Sequence, residues 1–200
     1  MTTALFFGSF NPIHIGHLAL AQYALNFADV DEVWLVVSPH NPFKSPKDLA
    51  PADTRLRMAQ LATADDERIK VVDVEMRMPQ PSYSIKTIDV LESQYPDRNF
   101  SIMMGDDNLD GLPKWREAER LIDGRTFIVY PRPGYRPDPT PVTKMGGIVK
   151  RLDAPQIDIS STMIRQWLSE GKSIRHFVPD VVLQLAESTY AIPPSPTQTA

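Results

Sequence analysis

Short apolar runs alternate along this chain with longer segments of helical period. Leu5 to Phe7 reads as a buried strand closed by Gly8, and an Ala- and Leu-rich helix follows from about Gly16 to Ala28. Val33 to Val37 is a second strand. A proline-rich loop then leads to a helix near Asp53 to Ala64, with Leu56, Ala59 and Ala62 on one face. Ile69 to Val74 is a third strand, and Ile85, Ile88 and Leu91 give the next helix its apolar stripe. Phe100 to Met104 is a fourth strand, ended by Gly105. A helix around Trp115 to Ile122 leads into a fifth strand, Thr126 to Tyr130, and Ile148 to Leu152 is a candidate sixth. Helices over Ser161 to Ser169 and Pro179 to Ser188 finish the pattern. Strands separated by helices imply right-handed crossovers. The expected fold is α/β, a doubly wound Rossmann-like parallel sheet with helices on both faces. In such sheets ligands sit beyond the carboxyl ends of the strands. Residues 8–17, 38–44, 105–115 and 131–135 are therefore the segments to read for chemistry.

Composition narrows the classes. A chain of 200 residues is one domain at roughly 150 residues per domain. Residues 1–192 are expected to form it, with the proline-rich Pro193 to Ala200 as a disordered tail. Hydrophobic residues at 42% and charged residues at 23% exclude a disordered chain. No run approaches the ~18 apolar residues of a membrane span, and the first residues lack the basic flank of a signal peptide. The expected setting is the cytoplasm, with no membrane partner. There are no cysteines, which excludes disulfides, thiolate nucleophiles and cysteine-bound zinc. A net charge of −4 argues against nucleic acid as a partner over any broad surface, though not against a local basic pocket.

The densest chemical signal is Gly8-Ser9-Phe10-Asn11-Pro12-Ile13-His14-Ile15-Gly16-His17, between the first strand and the first helix. Gly8 allows a tight turn, and Gly16 lets the backbone approach a ligand. The helix N-terminus supplies unpaired N–H groups and partial positive charge, which suits phosphate. His14 and His17 lie three apart, on neighbouring faces of the first turn, where imidazoles can donate to phosphate oxygens. One such histidine is commonplace as a capped or core residue; two on a Gly-bounded helix start after strand one are not. Neither G-x-x-x-x-G-K-[ST] nor G-x-G-x-x-G is present. A second phosphate-compatible helix start is Ile159-Ser160-Ser161-Thr162-Met163-Ile164-Arg165. A serine caps it, Met163, Ile164, Trp167 and Leu168 form its buried face, and Arg165 lies one turn in.

The first segment resembles the signature of the nucleotidylyltransferase superfamily, whose His-Ile-Gly-His tetrapeptide stands here as residues 14 to 17. Class I aminoacyl-tRNA synthetases share it, but 200 residues leave no room for their further domains. Within the superfamily, further segments resemble the bacterial nicotinate-nucleotide adenylyltransferases. They are Asn41-Pro42-Phe43-Lys44, Pro81 to Ser84, Gly105-Asp106-Asp107 with Leu112-Pro113-Lys114-Trp115, Arg132 to Tyr135, and Ser160 to Arg165. The resemblance covers the chain to about Tyr190, and the Gly-x-Asp…Leu-Pro-x-Trp block distinguishes this branch. It implies AMP transfer from ATP to nicotinate mononucleotide, giving deamido-NAD and pyrophosphate.

It also implies roles. His14, His17 and Arg165 would be catalytic, while Gly8, Ser9, Phe10, Gly16, Gly105, Asp107, Ser160 and Ser161 would bind ATP. Trp115 would stack on the pyridine ring and Lys44 would neutralise phosphate. The backbone N–H groups of Ser84 and Arg116 would hold the nicotinate carboxylate. The family usually has Thr where Ser84 stands, a swap that matters little for a backbone donor, and Asp106 replaces what is often a small residue. Mg²⁺ would ride mainly on ATP phosphates, since no clustered carboxylates suggest a protein metal site.

Residues 106–117 also match the calcium-loop pattern in full through Asp106, Asn108, Asp110, Gly111 and Glu117. The strand pattern before them and Pro113 within them argue against an EF-hand. Asn99-Phe100-Ser101 is a glycosylation sequon that has no meaning without secretion. Trp34 and Trp167 read as core. The alternatives to the adenylyltransferase reading are pantetheine-phosphate adenylyltransferase, which the Leu-Pro-x-Trp block disfavours, and a nucleotide sensor without turnover, which intact His14, His17 and Arg165 disfavour.

Overall fold

A computed structural model describes residues 1–39 and 49–191. Lys44, with the Asn41–Lys44 segment, and the 193–200 tail lie outside the described residues. The strands are β1 (Thr2–Gly8), β2 (Glu32–Val37), β3 (Ile69–Val72), β4 (Asn99–Gly105), β5 (Thr126–Tyr130) and β6 (Ile148–Arg151). The helices are α1 (Ile15–Phe27), α2 (Ala52–Ala62), α3 (Ser84–Gln94), α4 (Ala118–Ile122), α5 (Thr140–Lys144), α6 (Ser161–Ser169) and α7 (Asp180–Tyr190). The six strands form one sheet in the order β3-β2-β1-β4-β5-β6, every pair parallel.

Residues alternate faces along a strand, so each strand feeds two cores. Ala4, Phe6, Val33, Leu35, Val37, Met103, Ile128 and Tyr130 face one layer with α1, α2, α6 and α7. Leu5, Trp34, Val36, Ile102, Met104, Phe127 and Val129 face the other with α3 and α4. This is the doubly wound α/β fold expected, and its connections reverse direction between β1 and β4. Pairing of those strands runs from Thr2↔Asn99 to Phe6↔Met103. Beyond that register the chain leaves toward the two loops that begin at Gly8 and Gly105, which opens the crevice.

Three expectations need correction. The third strand stops at Val72, and Val74–Arg77 is a 3-10 turn that buries Glu75. The fourth helix starts at Ala118, because Trp115 is extended (φ −70°, ψ 162°) and Glu117 is left-handed (φ 51°). Between the fifth and sixth strands, where the pattern gives no helix, Thr140–Lys144 makes one short helix, with Pro141 in the first turn where its missing N–H costs nothing. Residues 106–108 and 112–114 are 3-10 turns entered from a strand, so the calcium-loop pattern has no entering helix. Trp34 is core, as expected, and Trp167 packs half-buried against the first core.

Candidate active site

Three carbonyls of the loop between β1 and α1 accept from side chains elsewhere in the fold: Ser9 O from Arg55, Asn11 O from Arg165 and Pro12 O from Ser161. Phe10 takes a left-handed φ of 43°, and the Asn11–Pro12 peptide is cis. The Phe10 ring is buried, edge-to-face with Phe6 at 5.7 Å and with His17 at 5.0 Å. A Cβ at Gly8 would meet that ring at 2.9 Å, so the glycine is required by close approach. Phe10 can thus offer a ligand only its backbone. The buried Asn11 side chain accepts from Ala50 N–H at 3.0 Å and from the Tyr190 hydroxyl at 2.7 Å. Three long-separated segments therefore converge on one amide.

His14 is the N-cap of α1 and only 4% exposed. Its backbone N–H donates to Nδ1 of His17 at 3.2 Å, and the two rings stack at 3.6 Å between centroids. A His17 Nδ1 that accepts carries no proton, so Nε2 is the donor nitrogen of neutral His17. A Cβ at Gly16 would meet the His14 ring at 3.0 Å, which is why glycine separates the two histidines. Among the described residues, Nδ1 of His14 is buried without a hydrogen-bond partner. Burial first, and the Arg132 guanidinium second, push its pKa down to about 3. His14 is accordingly neutral at physiological pH, and any contact with phosphate is a hydrogen bond rather than an ion pair.

That shift has a consequence for stability. The unfolded chain takes up a proton at His14 near pH 6.5, while the native site refuses it until about pH 3. Stability is therefore lost as pH falls through this window, at up to about 1.4 kcal/mol per pH unit from this group. In thermal melts from pH 7 to 4, the His14→Gln protein is expected to lose stability less steeply than the unmutated one. Parallel slopes would contradict the burial of a neutral imidazole here.

The two helix starts that looked phosphate-compatible meet. Ser161 Oγ donates to Pro12 O at 2.8 Å, and Arg165 Nη1 donates to Asn11 O at 2.8 Å. Ser160 Oγ accepts from Met163 N–H at 3.1 Å and so caps α6, as expected. In a trans peptide C=O and N–H point opposite ways. Fixing Pro12 O toward α6 therefore turns the Ile13 N–H away from it. Ser160 and Ser161 spend their hydroxyls on the fold, whereas Arg165 is half-buried and uses Nη1 on Asn11 and a long 3.4 Å contact from Nη2 to Thr162 Oγ1.

On the other side of the crevice lies a cleft of about 480 Å³. Gly8, Ser38, Gly105, Asn108, Trp115 and Tyr130 are among its walls, with Tyr83, Ser84 and Arg116. The histidines stand one ring away: Phe6 lines the cleft and contacts His17 at 6.0 Å between ring centroids. Trp115 is half-buried, packed against the second core and lining the wall of the cleft. Ser84 is the first residue of α3, a position whose N–H has no acceptor within the helix. The Arg116 guanidinium lies 4.8 Å from the centre of the Tyr83 ring, which brings the 115–116 and 83–84 segments together. Beneath them the buried Glu75 carboxylate accepts from Ser82 Oγ at 2.7 Å and Thr87 Oγ1 at 2.8 Å and fixes the turn into α3.

At the end of β4, a Cβ on Gly105 would collide with Asp107 Oδ1, so only glycine lets that carboxylate fold back. Asp107 is exposed, 4.0 Å from Arg132 Nε. Asp106 is buried and accepts from the Arg132 backbone N–H at 2.9 Å, tying the β4 loop to the β5 loop. Burial, and then the neighbouring Asp107 charge, raise the pKa of Asp106. Two residues of the site have no role assigned from the sequence, although Arg132 lies in a segment marked for chemistry. Arg132 lies over the Tyr130 ring at 5.6 Å, and its buried Nε makes no hydrogen bond among the described residues, with Asp107 Oδ1 at ion-pair distance. Among the described residues Arg55, fully buried on α2, bonds only to backbone carbonyls. Its signal is a cation inside the stripe Arg55–Met58–Ala59–Ala62, beside Leu56, which packs half-buried against the same core as expected.

A parallel sheet with paired histidines on a helix start beyond β1 and an arginine-bearing helix docked on the same loop defines a nucleotidyltransferase-type site. Residues 5–167 match the cytidylyltransferase-like family, and the chain belongs to it. Within it, the chain is 44% identical over 95% of its length, and 94% of the relative's, to a probable nicotinate-nucleotide adenylyltransferase of Bacteroides fragilis. A second probable nicotinate-nucleotide adenylyltransferase, from Flavobacterium johnsoniae, is 43% identical over 91% of this chain and 94% of its own. Among solved structures, the nicotinic acid mononucleotide adenylyltransferase of Plasmodium falciparum, complexed with NaAD, superposes with a TM-score of 0.75. It is 19% identical, and the match covers 92% of this chain and 93% of that one, a likeness of fold.

Proposed function

We infer that this chain transfers AMP from ATP to nicotinate mononucleotide, forming deamido-NAD and pyrophosphate. The observation that carries the reading is the pairing of two compartments across the β1–β4 crevice. One is a polar loop with His14, His17 and Arg165, and the other is an aromatic-walled cleft with Trp115, Ser84 and Arg116.

The substrate phosphate is itself the nucleophile, so the protein's work is alignment and charge stabilisation. His17 Nε2–H and His14 donate to the α-phosphate and to the charge that develops on it. Backbone N–H groups of Phe10, Ile13 and Gly16 add to them, since Pro12 has none and those of His14 and Ile15 are held by His17 Nδ1 and Phe177 O. Arg165, with the N–H groups at the α6 start around Ser160 and Ser161, takes the β- and γ-phosphates and the leaving pyrophosphate. Gly8, Gly105 and Asp107 bound the ribose and adenine side, where the Asp107 carboxylate accepts from ribose hydroxyls. Trp115 stacks on the pyridine, Ser84 and Arg116 present N–H groups to its carboxylate, and Lys44 neutralises phosphate. Mg²⁺, bound through the ATP phosphates, would supply counter-charge there. The described residues gather no group of three or more carboxylate and imidazole donors that could cage the ion alone. No helix among them is long and apolar enough to cross a membrane.

Equal amounts of deamido-NAD and pyrophosphate from Mg-ATP and nicotinate mononucleotide are the expected products; ATP turnover without deamido-NAD would refute the reading. Arg165→Lys tests the division of labour, since it keeps the charge and loses the planar fork. It is expected to raise KM for ATP and lower kcat, each by about tenfold, one hydrogen bond's worth of ~1.4 kcal/mol. KM for nicotinate mononucleotide should stay nearly unchanged. Equal weakening for both substrates would place Arg165 elsewhere.

A further inference from the structure

We propose that Arg55 is the positioning residue of the phosphate loop, because one buried guanidinium fastens the loop after β1, the end of β2 and the approach to α2. Its side chain is fully buried. Nη1 donates to Ser9 O at 2.5 Å and to Ser38 O at 2.8 Å, Nη2 to Pro39 O at 2.7 Å, and Nε to Ala50 O at 2.9 Å. Among the described residues no carboxylate pairs with it.

An apolar residue at this stripe position would bury surface without the cost of desolvating a charge, and buried ions are often replaceable by well-packed apolar groups. What the cation supplies instead is four donors in a rigid fork, matched to carbonyls from separate segments. Ser9 belongs to the phosphate loop, and Ser38 lines the neighbouring cleft. Holding the Ser9 carbonyl toward α2 turns the Phe10 N–H the opposite way, since the two groups of a trans peptide are antiparallel. Arg55 therefore sets the direction of a loop N–H without touching substrate. The inference rests on the proposed activity, and it applies to the ATP side of the site.

The test compares Arg55→Lys and Arg55→Gln with Met58→Ala. Met58 is equally buried one turn along α2 but is apolar and bonded to nothing in the loop. Each protein is melted, then assayed well below its midpoint for turnover and titrated with Mg-ATP alone. Both Arg55 variants are expected to bind ATP at least tenfold more weakly and to lose at least tenfold in kcat, with KM for nicotinate mononucleotide within about twofold. Met58→Ala should melt earlier yet keep ATP affinity and kcat within about twofold. Arg55 variants that fold and keep normal ATP affinity and kcat, or that give no cooperative melt at all, would make Arg55 a purely structural residue and overturn the proposal. Should the unmutated protein bind ATP but form no deamido-NAD, the activity fails while ATP affinity still decides the role of Arg55.

Discussion

His17→Ala is expected to lower kcat by about 10²–10³, the scale of one donor lost from a developing oxyanion. The change also removes the acceptor of the His14 N–H and one ring of a stacked pair, so a stability loss of about 1–2 kcal/mol accompanies it. Two further variants separate the effects. In His17→Asn the amide oxygen can replace Nδ1 as the acceptor for the N-cap, but no donor reaches the place of Nε2. Its melting point should recover while kcat stays low. In His17→Gln the longer amide restores a donor near Nε2, and part of the rate should return. Near-normal kcat in His17→Asn would remove Nε2 from the mechanism.

The second large effect is the choice between acid and amide. The Ser84 N–H has no acceptor within α3, and Arg116 is brought beside it by the contact of its guanidinium with Tyr83. Two backbone donors suit a carboxylate, which accepts at both oxygens. An amide offers one acceptor and turns an NH₂ toward a donor. Two charge-assisted hydrogen bonds at ~1.5–3 kcal/mol each set a scale of roughly 3–6 kcal/mol. The helix start adds up to ~1–2 kcal/mol more. The carboxylate must shed water and the amide keeps one bond, which offsets part of this. The expected preference is about 10²–10⁴ in kcat/KM for nicotinate over nicotinamide mononucleotide, at ~1.4 kcal/mol per tenfold. Ser84→Ala should preserve most of that ratio because the donor is backbone. Trp115→Ala should weaken both substrates alike, because stacking does not distinguish acid from amide. Comparable kcat/KM for the two substrates in the unmutated protein would contradict the backbone-donor account.

Local chemistry made the first loop and α6 readable. Gly8 and Gly16, the histidine spacing and the Ser160 cap are short-range features, and each stands where the sequence pattern predicted. Strand alternation was less informative, because parallel strands buried on both faces read as continuous apolar runs, yet their spacing still implied crossovers. What escaped was long-range. Nothing near Arg55 in the chain announces that Ser9, Ser38, Pro39 and Ala50 will surround it. The docking of Arg165 on Asn11 spans 154 positions, and helical period alone placed the start of α4 three residues early. There the left-handed Glu117, rather than any apolar stripe, decides where the helix begins.

The central claim is that the acceptor of the AMP group is nicotinate mononucleotide. One competition measures it: Mg-ATP in limiting amount, with nicotinate mononucleotide, nicotinamide mononucleotide and phosphopantetheine at equal concentration, and all products resolved by mass. The account predicts that deamido-NAD dominates, exceeding NAD by about 10²-fold or more, with pyrophosphate equal to the summed products. Dephospho-coenzyme A as the main product, or NAD in amounts similar to deamido-NAD, would contradict it.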